Sequence, residues 1–164
     1  MTIRPEQPAD VDTIRTLTRA AFAHAPHASQ TEAAIVDALR DAGALTLSLV
    51  SEDNGEILGH VAFSPVTVGG ADGWYGLGPV SVWPESQSRG IGQSLIRHGL
   101  EALRQMGARG CVLIGDPAYY SRFGFVADPG VSYGGIPPEY VQRLAFGDDI
   151  ARGEIVYHAG FEAG

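Results

Sequence analysis

The sequence predicts a mixed α/β fold: a sheet of six to seven strands with helices on both faces, in a single domain spanning residues 1–164. Two observations carry this prediction. The chain has 164 residues, of which 45% are hydrophobic, and this is enough for one compact core but too little for two domains. Apolar residues also alternate along the chain between strand-like and helix-like periods, which is typical of α/β proteins.

The N-terminal part of the chain predicts one strand followed by two helices. Thr2-Ile3-Arg4 is a short strand candidate, and Asp10 is placed to cap a helix. The apolar residues of that helix recur at helical spacing (Val11, Ile14, Leu17, Thr18, Ala21). After Pro26, Ser29 followed by Glu32 resembles a capping box that begins a second helix, which ends at Gly43.

The middle of the chain predicts a hairpin. The apolar run from Leu45 to Val50 and the longer run from Ile57 to Val68 are strand candidates. Asp53-Asn54-Gly55 lies between them and supplies residues that tolerate positive φ. A second glycine-rich turn, residues 69–73, then leads into a fourth strand from Trp74 to Val82.

A parallel crossover follows. From Ile91 the apolar period becomes helical and continues to Gly107, a favourable C-terminal stop. The short apolar run Cys111-Val112-Leu113-Ile114 is typical of a buried strand. The fourth strand, this helix and this strand therefore form a βαβ unit, whose strands are parallel and whose connection is right-handed.

The C-terminal part of the chain is less regular. We expect a short helix around Ala118 to Phe123, then a strand candidate at Phe125-Val126. A glycine- and proline-rich loop runs from Asp128 to Pro138. Two further strand candidates follow, from Tyr140 to Phe146 and from Glu154 to Tyr157.

Charge and composition exclude several functions. The chain carries 19 acidic residues against 11 basic ones, a formal net charge of −8, and all of the basic residues are arginines. Without lysine there is no Schiff-base or P-loop chemistry, and the net acidity argues against nucleic acid as a partner while mildly favouring a cationic one. The lone Cys111 forms no internal disulfide, and no run approaches the roughly 20 apolar residues of a membrane helix. We therefore expect a soluble, cytoplasmic protein without a membrane partner.

The turn between the fourth strand and the long helix has the composition of an anion site. It consists of Gln87-Ser88-Arg89-Gly90-Ile91-Gly92. Unpaired N–H groups at a helix start bind anions, and glycine lets a phosphate approach the main chain closely. Arg89 is placed to add a charge-assisted contact. A dinucleotide fingerprint would need glycine at Leu95, and a P-loop would need Gly-Lys; the alternative is a turn that merely enters a helix.

The pattern Gln87-x-x-Gly90-x-Gly92 resembles the acyl-CoA pyrophosphate loop of the GNAT-type N-acetyltransferases. The preceding segment, Leu77-Gly78-Pro79-Val80-Ser81-Val82, resembles the fourth strand of that family, and Tyr120-Ser121-Arg122-Phe123-Gly124-Phe125 resembles its Tyr-x-x-x-Gly-Phe segment. Residues 59–66 and 115–125 are similar to a bacterial branch of predicted N-acetyltransferases. The resemblance implies the GNAT fold, in which strands four and five splay apart.

The resemblance also implies a cofactor and a set of site residues. Acetyl-CoA would be the acyl donor, with no metal. The pantetheine arm would bind main-chain groups of the fourth strand, and the N–H of Val80 or Val82 would stabilise the oxyanion. By motif position, Tyr120 matches the general acid that protonates the departing thiolate. The implied cofactor-binding residues are Val80, Ser81, Val82, Gln87, Ser88, Arg89, Gly90, Ile91 and Gly92.

The general base stays open between Glu32, His60 and water, since the fourth strand carries no acidic residue between Leu77 and Val82. Both side chains also have a structural interpretation, Glu32 as half of a capping box and His60 as a hydrogen-bonded sheet residue. Tyr119 is expected to point away from Tyr120 as a packing aromatic.

Two further groups receive structural interpretations. Cys111 is expected to be an inert buried thiol. The segment His24-Ala25-Pro26-His27 is interrupted by proline and has no evident third ligand, which favours a loop over a metal site.

These expectations together describe an acetyl-CoA-dependent N-acetyltransferase in which an amine attacks the thioester directly. The acceptor would be a small-molecule or peptide amine. The loop from Asp128 to Pro138 is either a lid over that acceptor or a surface connection. The alternative function is a non-catalytic module that senses or sequesters acyl-CoA. The oligomeric state stays open, with a homodimer among the alternatives.

Overall fold

The computed structural model describes residues 1–25 and 28–163, and within them the chain forms four α-helices and nine strands. The helices are α1 (Val11–Phe22), α2 (Glu32–Asp41), α3 (Ile91–Gln105) and α4 (Pro117–Tyr120). The strands are β1 (Thr2–Pro5), β2 (Leu47–Asp53), β3 (Glu56–Val68), β4 (Ala71–Val82), β5 (Gly110–Ile114), β6 (Val126–Ala127), β7 (Val131–Ser132), β8 (Val141–Ala145) and β9 (Gly153–Tyr157). Since β6 and β7 have two residues each, seven of these strands have four residues or more, as the sequence predicts.

The sheet has the strand order β1-β2-β3-β4-β5-β8-β6, and the only parallel neighbours in this path are β4 and β5 within the described residues. β3 is long enough to pair with β2 through its first half and with β9 through residues 66–68. β9 also pairs with β7 in parallel. The predicted βαβ crossover therefore lies at the centre of the sheet.

The two faces of the sheet bury different helices. Leu49 of β2 belongs to a core cluster with Leu95 and Leu103 of α3, whereas the next residue, Val50, belongs to a cluster with Ile14 of α1 and Val36 of α2. Because neighbouring side chains of a strand point to opposite faces, α3 covers one face of the sheet, and α1 and α2 cover the other.

β4 and β5 separate after a short paired stretch. They pair only from Trp74–Gly110 to Gly76–Val112. Beyond this point β4 continues alongside β3, with a register irregularity between Val61 and Phe63, while β5 continues alongside β8. The predicted splay of strands four and five is confirmed, and it opens a gap in the sheet above Gly76.

Three local predictions are wrong. Asp10 precedes α1 but does not cap it, because its carboxylate accepts hydrogen bonds from Arg4 Nη1 and from the Gln7 N–H, each at 2.7 Å. The second glycine turn is shorter than expected, since β4 already begins at Ala71. The expected loop at residues 128–138 contains β7, which pairs with β9 in parallel; just before it, the Asp128 carboxylate accepts from Arg143 of β8 (2.9 Å) and anchors the segment to the sheet.

Replacement of Gly99 by alanine is expected to destabilise the fold, because α3 lies against β3 at this point. A methyl group at Gly99 would overlap the Cε1 and Cζ atoms of the buried Phe63 ring. Overpacking of this kind costs about 1–3 kcal/mol of unfolding free energy, which urea denaturation measures. Gly135→Ala is the matched control, since nothing lies within 4 Å of the added carbon there; equal stability of the two variants would contradict the packing described.

Candidate active site

The gap between β4 and β5 continues into a cavity of about 580 Å³. Its walls are the upper half of β4, the turn at residues 86–90, the first turns of α3, and α4 with Arg122 of the turn that follows it. The end of α1, at Ala21 and Phe22, closes one side. Eight of the ten residues predicted for the site line this cavity: Val80, Val82, Gln87, Ser88, Gly90, Ile91, Gly92 and Tyr120. Ser81 and Arg89 are the two that do not.

The turn before α3 presents main-chain N–H groups to the cavity. Gly90 adopts a φ of +79° and precedes the first helical residue, Ile91. The Ser94 N–H donates to the Gly90 carbonyl at 3.1 Å, so the N–H groups of residues 91–93 precede the first helical hydrogen bond. The positive end of the dipole of this 15-residue helix lies at the same point. This end of the cavity is therefore suited to bind a phosphate group.

Gly92 keeps the space between α3 and β4 open. A Cβ atom placed there would lie 3.7 Å from the Tyr119 hydroxyl and 3.8 Å from a methyl carbon of each of Val80 and Val82. These are ordinary van der Waals distances, so a single methyl group fits and a longer side chain would enter the cavity.

The main chain of β4 alternates between β3 and the cavity. The Trp83 N–H donates to the Leu58 carbonyl of β3 at 3.3 Å, so by alternation the Ser81 main chain also faces β3. Val80 and Val82 face the opposite way, and the Val82 carbonyl accepts a hydrogen bond from the Gln87 side-chain amide (3.2 Å). The Ser81 main chain therefore does not face the cavity, whereas the main chains of Val80 and Val82 are oriented as the predicted cofactor contacts require.

Arg89 points away from the cavity. Its exposed side chain lines a second, larger cavity of about 770 Å³ together with Arg4 and Glu52. The predicted contact of the Arg89 guanidinium with a phosphate in the first cavity is not supported by this geometry. A different arginine, Arg122, lines the first cavity, where its guanidinium carbon lies 4.5 Å from the centre of the Tyr119 ring and its Nε donates to the Tyr119 carbonyl (2.8 Å).

Tyr120 lies on the short helix after β5, in a mainly aromatic environment. Its ring packs edge-on against Tyr119 (4.9 Å between ring centres) and Phe125 (6.2 Å), and it covers Gly115. Burial raises the pKa of Tyr120 to about 12, with smaller contributions from Tyr119 and Asp116. The hydroxyl therefore keeps its proton throughout the neutral range and is available as a hydrogen-bond donor.

Tyr119 also faces the cavity, contrary to the expectation that it points elsewhere. The Asp116 carboxylate caps α4 by accepting from the Ala118 N–H (2.9 Å), and the helix gives way to a 3-10 turn after only four residues. This places the Tyr119 hydroxyl over Gly92. Burial raises the pKa of Tyr119, while the nearby guanidinium groups of Arg122 and Arg97 oppose the shift.

Neither predicted side-chain base lines the cavity. The Glu32 carboxylate accepts from the Ser29 N–H (2.9 Å) and the Ser29 hydroxyl (3.0 Å). The predicted capping box is nevertheless wrong, because α2 begins at Glu32 itself and its N-cap residue, Thr31, makes no side-chain capping bond. His60 is fully buried, with Nε2 2.8 Å from the Ser48 hydroxyl oxygen, and burial lowers its pKa to about 4.

Cys111 and the segment at residues 24–27 are the two groups that the sequence analysis interprets as structural. Cys111 is a buried free thiol whose pKa is raised by burial. Pro26 and His27 of the segment considered for a metal lie outside the described residues. Within residues 1–25 and 28–163, no three His, Cys, Asp or Glu side chains come together as a metal site would require. The helices of this part of the chain are too short or too polar to span a membrane.

Acidification is expected to destabilise the protein through His60. In the fold its pKa is about 4, but in the unfolded chain it returns to about 6.5. The unfolded state therefore binds a proton first, so stability present above pH 6.5 is lost as the pH falls toward 4. From pH 7 to pH 5 this loss is about 2 kcal/mol.

Urea denaturation at pH 7 and pH 5 measures this loss. His60→Gln is expected to unfold at lower urea but to lose less stability over the same pH interval. An equal loss in the variant and the wild type would show that His60 is not the group responsible.

Comparison with known proteins gives one consistent result. Residues 2–127 match the model of a family described as "Acetyltransferase (GNAT) domain". The Escherichia coli (strain K12) protein named "Uncharacterized N-acetyltransferase YhbS" is 43% identical over 127 residues, which cover 76% of this chain and 73% of that protein.

Two solved structures are similar over nearly the whole chain. A GNAT family acetyltransferase from Brucella melitensis in complex with acetyl-CoA is 56% identical, with a TM-score of 0.87, covering 98% of this chain and 97% of that one. YhbS from Escherichia coli in complex with CoA is 36% identical, with a TM-score of 0.89, covering 98% and 91%. The predicted GNAT fold is confirmed by these similarities.

Proposed function

The chain belongs to the GNAT acetyltransferase family, and we propose that it transfers the acetyl group of acetyl-CoA to an amine acceptor by direct attack on the thioester. The observation that carries the proposal is the cavity at the splay, which brings the N-terminus of α3, the main chain of β4 and the Tyr120 hydroxyl around one space. The acetyl-CoA and CoA bound by the two similar structures support the choice of donor.

Each part of acetyl-CoA finds a matching group in this cavity. The diphosphate lies at the N–H groups of residues 91–93, where the helix dipole favours negative charge. The pantetheine amides pair with the main chain of Val80 and Val82, as an added strand would. The thioester carbonyl accepts a hydrogen bond from the Val80 or Val82 N–H, which stabilises the oxyanion as the amine attacks.

The chemical step forms one bond and breaks one. The lone pair of the neutral amine attacks the acetyl carbon and gives a tetrahedral intermediate; the C–S bond then breaks, and the amide nitrogen loses a proton. Tyr120 donates to the departing sulfur. Since a thiol with a pKa of about 8.5 is a stronger acid than a buried phenol, Tyr120 stabilises the thiolate chiefly through a hydrogen bond.

The proposal extends to the whole chain and to its location. Residues 1–164 act as one acetyltransferase domain, because the similar structures cover 98% of the chain. The acceptor is a small-molecule or peptide amine. The cytoplasm is the proposed location, supported by the use of acetyl-CoA as donor and by the free thiol of Cys111.

Release of free CoA thiol tests the proposal. The purified protein is incubated with acetyl-CoA and a panel of primary amines that includes polyamines, aminoglycosides and peptide N-termini, and thiol is measured with a colorimetric disulfide reagent. Amine-dependent thiol release, with the acetylated amine found by mass spectrometry, is the expected result. Tight binding of acetyl-CoA with no turnover across the panel would instead favour a module that senses or sequesters acyl-CoA.

A further inference from the structure

Behind β4, on the face covered by α1 and α2, a chain of hydrogen bonds connects the interior of the sheet to the surface. Nε2 of His60 lies 2.8 Å from the Ser48 hydroxyl oxygen, and this hydroxyl is in turn hydrogen-bonded to the Glu6 carboxylate. Arg40 holds both oxygens of Glu6, at 2.7 Å and 2.9 Å. Glu6, Arg40 and Ser48 line a surface cavity of about 300 Å³. This series of hydrogen bonds therefore runs from the fully buried imidazole of His60 to the Glu6 carboxylate beside solvent.

The ionisation state of Glu6 determines the direction of each hydrogen bond in this series. Although burial acts to raise it, the pKa of the Glu6 carboxyl is lowered by Arg40 and Ser48, so Glu6 is ionised and only accepts hydrogen bonds. The single hydroxyl proton of Ser48 must then point to Glu6, and its oxygen accepts from His60. His60 consequently carries its proton on Nε2, and Nδ1 is a bare acceptor.

That acceptor has no hydrogen-bond partner among the described residues, although it is buried. The hydroxyl of Ser81 is likewise buried and unpartnered. His60 of β3 and Ser81 of β4 are directly paired in register, so their side chains share one face of the sheet. A buried acceptor and a buried donor therefore lie on neighbouring strands, and neither has another partner among the described residues.

This pair lies immediately behind the proposed reaction centre. Ser81 is flanked by Val80 and Val82, whose main chains face the cavity, while its own side chain shares the His60 face. His60 pairs with Val50 on β2, which places it on the face of α1 and α2. The end of α1, at Ala21 and Phe22, borders the cavity, so the cavity extends toward the face of the sheet that carries His60.

We propose, as an inference that rests on the proposed function, that Ser81, His60, Ser48 and Glu6 form a relay that carries the proton of the attacking amine to the surface. The amine nitrogen passes a proton through water and Ser81 to His60 Nδ1. In the same step His60 Nε2 gives its proton to Ser48, and Ser48 gives its proton to the Glu6 carboxylate. Glu6, protonated in this way, releases the proton to solvent through the surface cavity.

The relay leaves the imidazole uncharged before and after the transfer, with its proton moved from Nε2 to Nδ1. This matters because His60 is fully buried, and burial lowers its pKa to about 4. The charged groups that act on it are Glu6, which favours the protonated ring, and Arg40, which opposes it. A histidine in this environment passes a proton on without becoming a charged imidazolium. Since the four residues act on the amine through water, they are positioning residues for the reaction.

The tautomer of His60 provides a test that needs no acceptor. Nitrogen-15 NMR of the protein labelled at histidine, at pH 7, is expected to show protonated Nε2 and unprotonated Nδ1 for His60. In Ser48→Ala this preference is expected to weaken. A protonated Nδ1 in the wild type would reverse the direction of every donor in the chain and overturn the relay, whether or not the protein is an acetyltransferase.

Kinetics of the relay variants provide the second test. With an amine found by the panel, Ser48→Ala and Ser81→Ala are expected to lower kcat/KM by about tenfold or more, with unchanged affinity for acetyl-CoA. The loss is expected to be smaller for weakly basic aromatic amines, which a purely structural defect would not produce. Ser64→Ala is the matched control, because Ser64 is a buried, unpartnered serine of β3 outside the relay.

The outcomes separate the two proposals. Full activity of Ser48→Ala and Ser81→Ala beside an active wild type would overturn the relay and leave the acetyltransferase function intact. Equal losses in Ser64→Ala would overturn it as well, since they would indicate a general packing effect. A wild type that binds acetyl-CoA but acetylates no amine would overturn the proposed function and the relay with it.

Discussion

Replacement of Tyr120 by phenylalanine is expected to lower the rate of acetyl transfer by about 10²–10⁴-fold and to leave the affinity for acetyl-CoA unchanged. In the proposed mechanism the hydroxyl stabilises the departing thiolate, and the ring packing against Tyr119 and Phe125 is retained by phenylalanine. Because burial holds the pKa of Tyr120 near 12, the hydroxyl is a donor at every pH at which the assay is practical.

Steady-state kinetics with acetyl-CoA and an accepted amine, together with calorimetric titration of acetyl-CoA, measure both parts of this expectation. Tyr119→Phe is the matched control, since its hydroxyl lies over Gly92 at the helix end of the cavity. We expect that variant to affect acetyl-CoA binding more than kcat. A Tyr120→Phe enzyme with wild-type kcat would remove Tyr120 from the mechanism.

Replacement of Gly92 by glutamate is expected to weaken acetyl-CoA binding by at least about 100-fold, or roughly 3 kcal/mol. The side chain would extend into the space bounded by the Tyr119 hydroxyl, Val80 and Val82. Its carboxylate would also lie beside the N-terminus of α3, where it would occupy the positive end of the helix and repel the diphosphate.

Calorimetry measures the affinity, and thermal unfolding checks that the fold is intact. Gly92→Ala separates the two causes, because a methyl group at 3.7 Å from its nearest neighbour fits without rearrangement. Gly135→Glu, at an open surface position, controls for the added charge. If Gly92→Glu bound acetyl-CoA as tightly as the wild type, the diphosphate would lie elsewhere.

The sequence predicts the main helices and the central strands because their apolar periods are long. The turn before β4 and the segment at residues 128–138 differ from the prediction, because apolar periodicity does not reveal that β4 begins at Ala71 or that β7 forms. The structure of the segment at residues 128–138 depends on Asp128, whose bond to Arg143 (2.9 Å) joins residues 15 positions apart. No local pattern contains that information.

The candidate site was predictable where the proposed binding groups belong to the main chain. A glycine with positive φ before a helix fixes where the N–H groups point, and Gly90 shows this directly. Side-chain directions were harder: Arg89 faces away from the cavity, and Tyr119 and Arg122 face it. For Tyr119 and Arg122 the cause is the early end of α4, which a helical wheel cannot anticipate. The only available signal was the position of Arg122 two residues after Tyr120.

The register between β3 and β4 determines which main-chain groups of β4 face the cavity. Whether a residue of β4 offers its main chain to the cavity or to β3 depends on the pairing with Leu58, which the β4 sequence does not reveal. The same pairing places Ser81 opposite His60. Both the direction of the Ser81 main chain and the proposed proton relay therefore follow from the alignment of two strands.

The proposed function depends on binding of the acetyl-CoA diphosphate by main-chain N–H groups at the start of α3. Amide NMR spectra recorded during a titration with CoA measure this binding residue by residue. We expect saturable shifts that are largest for the amides of residues 88–93, with a second group at Val80 and Val82. No shift at millimolar CoA, or shifts centred on the second cavity around Arg4 and Arg89, would contradict it.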